Sequence, residues 1–270
     1  MRLPCLFVVH GLIYYTLMIE SEDYDRIAVI PVILAGILKT NLLELYMNRN
    51  DVSVISRGTT SAIATNKVLR NTYLLLAMTF LFSAATAYAS FASQARHLNP
   101  ILFIVGVYGL MFLTNMLRNS AWGIVSVFAF TGFMGYALGP ILNFYISHFS
   151  NGPQLIATAF GGTGIIFLGL SAYVLTTRKD FSYLGGFLFI AVMLAFLAMI
   201  ASIFFQIPAL NLAISAAFVL ISSGLILFQT SEIIHGGETN YITTTVSLFV
   251  SIYNLFISLL NLLSAFSGRD

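Results

Sequence analysis

Residues 182–205 of the chain read SYLGGFLFIAVMLAFLAMIASIFF, with no charged side chain among them. A membrane-spanning helix needs about 20 mostly apolar residues, because the hydrocarbon core of a bilayer is about 30 Å thick. The apolar residues form a continuous run rather than alternating with polar ones, as they would in a barrel strand. A helix also satisfies its own backbone groups in lipid. This stretch therefore predicts a transmembrane helix.

The composition of the whole chain agrees with this stretch. Of its 270 residues, 59% are hydrophobic and 8% are charged, against about 25% charged residues in ordinary soluble domains. The formal net charge of +2 is too small to indicate nucleic-acid binding. The single cysteine, Cys5, excludes an intramolecular disulfide and a multi-cysteine metal site. We predict an all-α, polytopic membrane protein embedded in the lipid bilayer.

Seven segments after Met47 are long and apolar enough to cross a membrane, which predicts a seven-transmembrane-helix bundle. They lie near residues 71–92, 100–117, 121–146, 154–177, 182–205, 209–229 and 241–266. Several helices also carry closely spaced glycines, which let helix backbones approach each other in lipid. On this basis we expect close packing at Gly132, Gly135, Gly139, Gly161, Gly162, Gly164, Gly169, Gly185 and Gly186.

The distribution of basic residues predicts the orientation, because the loops between the spans are short. If residues 47–70 are cytoplasmic, that side holds seven Lys and Arg residues and the other side holds two. The seven are Arg49, Arg57, Lys67, Arg70, Arg118, Arg178 and Lys179, and the two are Arg96 and Arg269. The bias predicts a multi-pass membrane protein with a cytoplasmic N-terminal tail.

Residues 1–46 differ in character from the rest of the chain. An apolar run is followed by the acidic cluster at 20–25 and by a second, shorter apolar run. This part is either an additional hydrophobic anchor or the product of a start codon assigned too far upstream. We favour the second interpretation, with Met47 as the start. Residues 47–70 are polar and predict a flexible tail, and residues 71–270 form the predicted membrane domain.

No sequence pattern indicates catalysis, a cofactor or a metal site. The chain lacks a Gly-x-Ser-x-Gly elbow, a His-Glu-x-x-His pair and a Walker loop. His235 and Glu238 lie three residues apart, but two ligands are too few for zinc. The two glycines between them favour a polar turn. We therefore predict that the protein is not an enzyme.

The basic cluster after the fourth span has two interpretations. Arg178 and Lys179 set the orientation by reaching to the headgroups, with Asp180 capping the next helix. Alternatively, the cluster contacts a partner or anionic lipids. With the turn between the last two spans, it forms a candidate cytoplasmic contact made of Arg178, Lys179, Asp180, His235 and Glu238.

The last two spans carry only neutral polar groups at membrane depth, among them Gln229, Ser251, Asn254 and Asn261. Such groups bridge helices through hydrogen bonds. They can also line a narrow polar pathway, but they cannot bind a divalent cation as a pair of carboxylates would.

Four motifs carry a family resemblance. They are GIVS at 123–126, GYALGPIL at 135–142, TGIIF at 163–167 and YVLTTRKDFSYLGG at 173–186. In this order and spacing they resemble the signature of the Bax inhibitor-1 (transmembrane Bax inhibitor motif) family. KVLRNTY at 67–73, YGLMFLT at 108–114 and IIHGGETNY at 233–241 are similar to bacterial members. The resemblance covers residues 47–270 and leaves out residues 1–46.

The resemblance implies a seven-helix bundle and two competing functions. One is that of members in the bacterial inner membrane that engage the FtsH-type membrane AAA protease and limit its degradation of other membrane proteins. A flexible tail at 47–70 would suit that role, because an ATP-driven protease grips an unstructured segment. The other is a pH-sensitive calcium leak, attributed in the family to two aspartates on the last two helices. This chain has Gln229 and Ser251 at those positions, so the proton-sensing acidic pair is lost.

Overall fold

The computed structural model describes residues 61–267 except Gln206. Within this part of the chain seven helices occur and no strand. They are α1 (Ser61–Ala92), α2 (Pro100–Leu117), α3 (Trp122–His148), α4 (Gly152–Thr177), α5 (Leu184–Phe205), α6 (Pro208–His235) and α7 (Tyr241–Ser267). The all-α prediction is confirmed. The interpretations of residues 1–46 and most of the predicted tail lie outside the described residues.

The helices fit a polytopic membrane bundle. Six of the described helices are long and apolar enough to cross a membrane, and α2 is a shorter apolar helix. Two boundaries differ from the sequence prediction by more than two residues. The first helix begins at Ser61 rather than at residue 71, since polar side chains do not prevent a helix outside lipid. The sixth continues to His235 and ends where Gly236 adopts a left-handed conformation, φ 76°, which favours glycine.

The central helix of the bundle is α7. It packs against α1, α2, α3, α4 and α6, whereas α5 packs mainly against α6 at the periphery. Most of α7 is buried, including the polar residues Ser251, Asn254 and Ser258. Because these side chains are shielded from lipid by neighbouring helices, the polar groups of α7 must find partners inside the bundle.

Glycines bring α1 and α3 into close contact. A Cβ atom at Gly135 would collide with the carbonyl oxygen of Ser83 and lie 2.7 Å from its hydroxyl. At Gly139 it would lie 2.6 Å from the Cβ of Ser90. The predicted close approach is confirmed at these two positions. The prediction is wrong for Gly161, Gly164, Gly169 and Gly186, where an added Cβ would meet no neighbouring atom within 4 Å.

Candidate functional site

One end of the bundle carries the loops between α2 and α3, α4 and α5, and α6 and α7. We call this end the basal end, made of residues 118–121, 178–183 and 236–240. The sequence from 71 to 266 has three acidic residues: Asp180 and Glu238 lie in these loops, and Glu232 lies in the last turn of α6 beside them. The helix order brings together two segments that the sequence singled out separately, the basic cluster and the turn after α6.

Ser231 fixes the loop between α4 and α5 to the last turn of α6. Its hydroxyl accepts a hydrogen bond from the backbone N–H of Phe181 at 2.9 Å and lies 3.4 Å from the carbonyl oxygen of Lys179. Ser231 is fully buried. The loop thus satisfies a backbone donor with a side chain 50 positions away, and the helix end holds it in place.

The predicted contact residues surround this attachment point. Arg178, Lys179 and Asp180 are exposed in the loop, and His235 is exposed at the end of α6. The Nδ1 atom of His235 lies 3.0 Å from the carbonyl oxygen of Ser231. Three of the five predicted residues therefore belong to one loop, and His235 lies against the residue that holds that loop.

Asp180 has a different role from the predicted helix cap. Its Oδ1 accepts hydrogen bonds from the hydroxyl and the backbone N–H of Ser182, at 2.5 and 2.9 Å, in the turn before α5 begins. These two bonds lower the pKa of Asp180 from its ordinary value, and the bond from the hydroxyl has the larger effect. The nearby His235 contributes to the lower pKa in the same direction. The carboxylate is therefore kept ionised on an exposed surface.

The fifth predicted residue, Glu238, connects to a residue that the sequence reasoning missed. Its Oε1 accepts from the backbone N–H of Asn240 at 3.1 Å. The side-chain amide of Asn240 donates to the carbonyl oxygen of Arg118 at 3.0 Å and to Oδ1 of Asn119 at 2.9 Å. Its own Oδ1 accepts from the N–H of Ile242 and so caps α7. An asparagine just before an apolar run is a helix-start signal that could have found this residue.

Glu232 was also missed. Its carbonyl oxygen accepts from the N–H of Gly237 at 2.9 Å, and its carboxylate lies so close to Gly237 that a Cβ there would collide with it. Asp180 and Glu238 lie close enough for their negative charges to repel that of the Glu232 carboxylate. The basal end therefore presents a mixed surface in which exposed cations lie next to three carboxylates.

Inside the bundle, the predicted pathway positions are adjacent. The hydroxyl of Ser251 lies 3.2 Å from Oε1 of Gln229 and 3.0 Å from the carbonyl oxygen of Ser247, and it can donate to either. Further along, the amide of Asn261 donates to the hydroxyl of Ser215 at 2.7 Å. Neutral polar groups thus bridge α6 and α7. No group of three or more His, Cys, Asp or Glu side chains that could hold a metal ion occurs within the described part of the chain.

A family comparison agrees with this architecture. Residues 65–268 match the family described as inhibitor of apoptosis-promoting Bax1. The chain belongs to the Bax inhibitor-1 family. The resemblance seen in the sequence motifs is confirmed, and the family match covers all seven described helices almost completely.

Relatives in bacteria extend this Bax inhibitor-1 assignment. The chain is 58% identical over 215 residues to the modulator of FtsH protease YccA of Escherichia coli K12, covering 80% of this chain and 97% of that protein. The inner membrane protein YccA of Escherichia coli O6:H1 gives the same values. An uncharacterized membrane protein of Vibrio cholerae is 45% identical over 209 residues, covering 77% of this chain and 93% of that protein.

The positions that the family resemblance implies as a proton sensor carry no charge in this Bax inhibitor-1 protein. A pair of carboxylates this close would share a proton through like-charge repulsion. Gln229 and Ser251 form at most one neutral hydrogen bond, and neither an amide nor a hydroxyl takes up a proton in mild acid. The chemistry available at this pair is helix bridging and the lining of a polar pathway.

Proposed function

We propose that this chain is a non-enzymatic modulator of an FtsH-type membrane AAA protease and acts in the quality control of membrane proteins. The observation that carries the proposal is the 58% identity with the modulator of FtsH protease YccA over 97% of that protein. An identity this high over almost the full length supports a shared partner as well as a shared fold.

The proposed location is the bacterial inner membrane, with the basal end and the N-terminal tail in the cytoplasm. The relative named as an inner membrane protein supports the assignment to the inner membrane. The distribution of basic residues supports the orientation. Arg118, Arg178 and Lys179 lie in the basal loops, whereas Arg96 lies at the other end of α1. This orientation places the candidate contact on the side where an ATP-driven protease has its ATP.

We divide the contact with the protease into two parts. Residues 47–60 precede α1 and are the part of the proposed tail that the protease would grip. The second part is the basal surface of Arg178, Lys179, Asp180, His235 and Glu238. Its mixture of exposed cations and carboxylates suits a complementary charged surface, which favours correct orientation of a partner more than it raises affinity.

The proposal is tested by a tagged pull-down from gently solubilised native membranes. The chain from Met47 is compared with a version lacking residues 48–60, a deletion that spares α1. A chain in which residues 48–60 are shuffled is the matched control for length and composition. We expect the chain from Met47 to recover the protease, and the deletion variant to lose it. Recovery with none of the three chains, in a preparation where a known partner of the protease is recovered, contradicts the proposal.

A calcium leak channel is the alternative function. The polar residues bridging α6 and α7 favour it, because they place hydroxyls and amides on the central helix at membrane depth. The alternative predicts ion flux through the purified protein in liposomes without any partner. Protease recovery in the pull-down together with no flux in liposomes would reject the channel.

A further inference from the structure

The facing surfaces of α6 and α7 carry polar side chains in a regular register, which we call the polar seam. On α6 the residues are seven apart, and on α7 they are alternately four and three apart, so each set lies on one helix face. The α6 set is Ser215, Ser222 and Gln229, and the α7 set is Ser247, Ser251, Asn254, Ser258 and Asn261. Polar residues at these spacings in a mostly apolar bundle are placed to meet each other.

Two hydrogen bonds fix how the two faces align. Gln229 meets Ser251 towards the basal end, and Ser215 meets Asn261 towards the opposite end. Because α6 and α7 are antiparallel, the midpoint between the two bonds falls at Ser222 on α6. The same midpoint on α7 falls at residue 256, within two positions of Asn254. Each bond is about 10 Å from this midpoint along α6 and about 8 Å from it along α7.

Close to this midpoint along the two helices, two buried polar atoms have no hydrogen-bond partner among the described residues. They are the hydroxyl oxygen of Ser222 and Oδ1 of Asn254, both in side chains with no exposed surface. The hydroxyl of Ser223, one position further, donates to the carbonyl oxygen four residues back, at 2.8 Å. Ser222 makes no such bond, so its hydroxyl remains available to the seam.

We propose that the polar seam holds an internal water molecule between Ser222 and Asn254. The water donates a hydrogen bond to Oδ1 of Asn254 and accepts one from the hydroxyl of Ser222. Two partners are enough to hold an internal water, and an unsatisfied polar group in the bilayer interior is costly. The water then fills the centre of the seam, which is about 21 Å long along α6 from Gln229 to Ser215.

This site takes a neutral hydrogen-bonding ligand and is unsuited to a divalent cation, because its groups are an amide oxygen and a hydroxyl. It is independent of the proposed protease contact, which lies at the basal end. The water also explains why Asn254 is accommodated at the centre of α7. Its Nδ2 donates to the carbonyl oxygen of Val250 at 2.9 Å, and the water completes the side chain's hydrogen bonding.

The test is X-ray radiolytic footprinting of the whole purified chain in lipid nanodiscs, with oxidation read by mass spectrometry. Radicals formed from an internal water oxidise side chains beside it. Phe218, on the seam face of α6, is the reporter, and Phe103 on α2 is the matched control. Their exposed fractions are 0% and 1%. We expect Phe218 to be oxidised several-fold faster than Phe103. Equal protection of both in the unmodified chain overturns the proposal without any variant having to fold.

Two further measurements exclude entry of bulk water. Ser222→Ala should lower the oxidation of Phe218 to the level of Phe103, and Ser223→Ala should leave it unchanged. A radical scavenger that cannot enter the bilayer should protect the exposed Tyr183 and leave Phe218 unaffected. Protection of Phe218 by this scavenger would mean that its oxidation comes from outside, and the internal water would be rejected.

Discussion

At the scale of single residues, neutral side chains hold the loops of the basal end together, and charged side chains lie on its surface. Ser231 and Asn240 satisfy backbone groups of loops that are distant in sequence. The charged residues predicted as a contact lie around these two anchors. The sequence indicated the charged residues because runs such as 178–180 are conspicuous in an apolar chain. It could not indicate Ser231, since nothing local marks a serine whose partner lies 50 residues away.

Ser231→Ala should destabilise the protein through the loop between α4 and α5. The substitution leaves the N–H of Phe181 without its acceptor, and loss of a partner by a shielded backbone group costs about 1–3 kcal/mol. Thermal unfolding in detergent measures the effect. The control is Thr176→Ala, which removes an exposed hydroxyl bonded only within its own helix and should change the melting temperature little. Equal melting temperatures for both variants would contradict the role given to Ser231.

Ser182→Ala should raise the pKa of Asp180 towards its ordinary value. The hydroxyl of Ser182 is the largest cause of the lowered pKa. Because the pKa is lowered in the folded state, the associated stabilisation is present above the unfolded pKa and is lost as the pH falls through the folded pKa. An NMR titration of labelled aspartate carboxyl carbons measures the shift. His235→Gln is the comparison, and a larger change there than in Ser182→Ala would refute the order of causes.

At the scale of helices, the apolar runs predicted where helices occur, and the glycine pattern predicted their packing only in part. Gly135 and Gly139 lie against α1, but Gly161 on α4 has nothing near it. Glycine spacing marks a helix face that can pack closely. Which neighbour covers that face depends on the arrangement of all the helices, and a single helix sequence does not contain that information.

Gly135→Ala should destabilise the bundle, because the added Cβ meets the backbone carbonyl of Ser83, which cannot move without shifting α1. Overpacking of this kind costs about 1–3 kcal/mol. Gly161→Ala is the matched control. It adds the same atom to open space and should be neutral or stabilising by up to about 1 kcal/mol, the helix preference of Ala over Gly. Unfolding by denaturant in mixed micelles measures both, and similar effects for the two variants would argue against the α1–α3 contact.

Asn240→Ala should cost more stability than Asn99→Ala, although both residues cap a helix. Loss of a cap costs about 1 kcal/mol. We expect Asn99 to contribute only this amount, since its side chain makes the cap bond, accepting from the N–H of Ile101 at 2.9 Å. Asn240 also donates to Arg118 and Asn119 and so connects two basal loops. Melting temperatures of the two variants give the comparison. A smaller loss for Asn240→Ala would show that the contact between the loops adds nothing.

At the scale of the whole molecule, the sequence predicted the class of fold and the family, because both depend on features that are continuous along the chain. Apolar length predicts spans, and the family motifs are short contiguous segments. The central position of α7 depends on packing between distant helices. Its polar residues at spacings of three and four were nevertheless visible, and they now mark the seam. In the sequence, only the family resemblance linked Gln229 with Ser251. In the structure, these two side chains are in contact.

That pairing determines how the molecule should respond to acid. Calcium flux through the protein in liposomes should lack a steep increase between about pH 7.5 and about pH 6, because an amide and a hydroxyl do not titrate in that range. Replacing both residues in one variant, Gln229→Asp with Ser251→Asp, supplies two carboxylates that can share a proton, and this variant should gain a pH response. Gln229→Asn with Ser251→Thr is the neutral control. A steep acid response in the unmodified protein would contradict the prediction. His235, the imidazole nearest to the end of α6, would then be the first residue to replace.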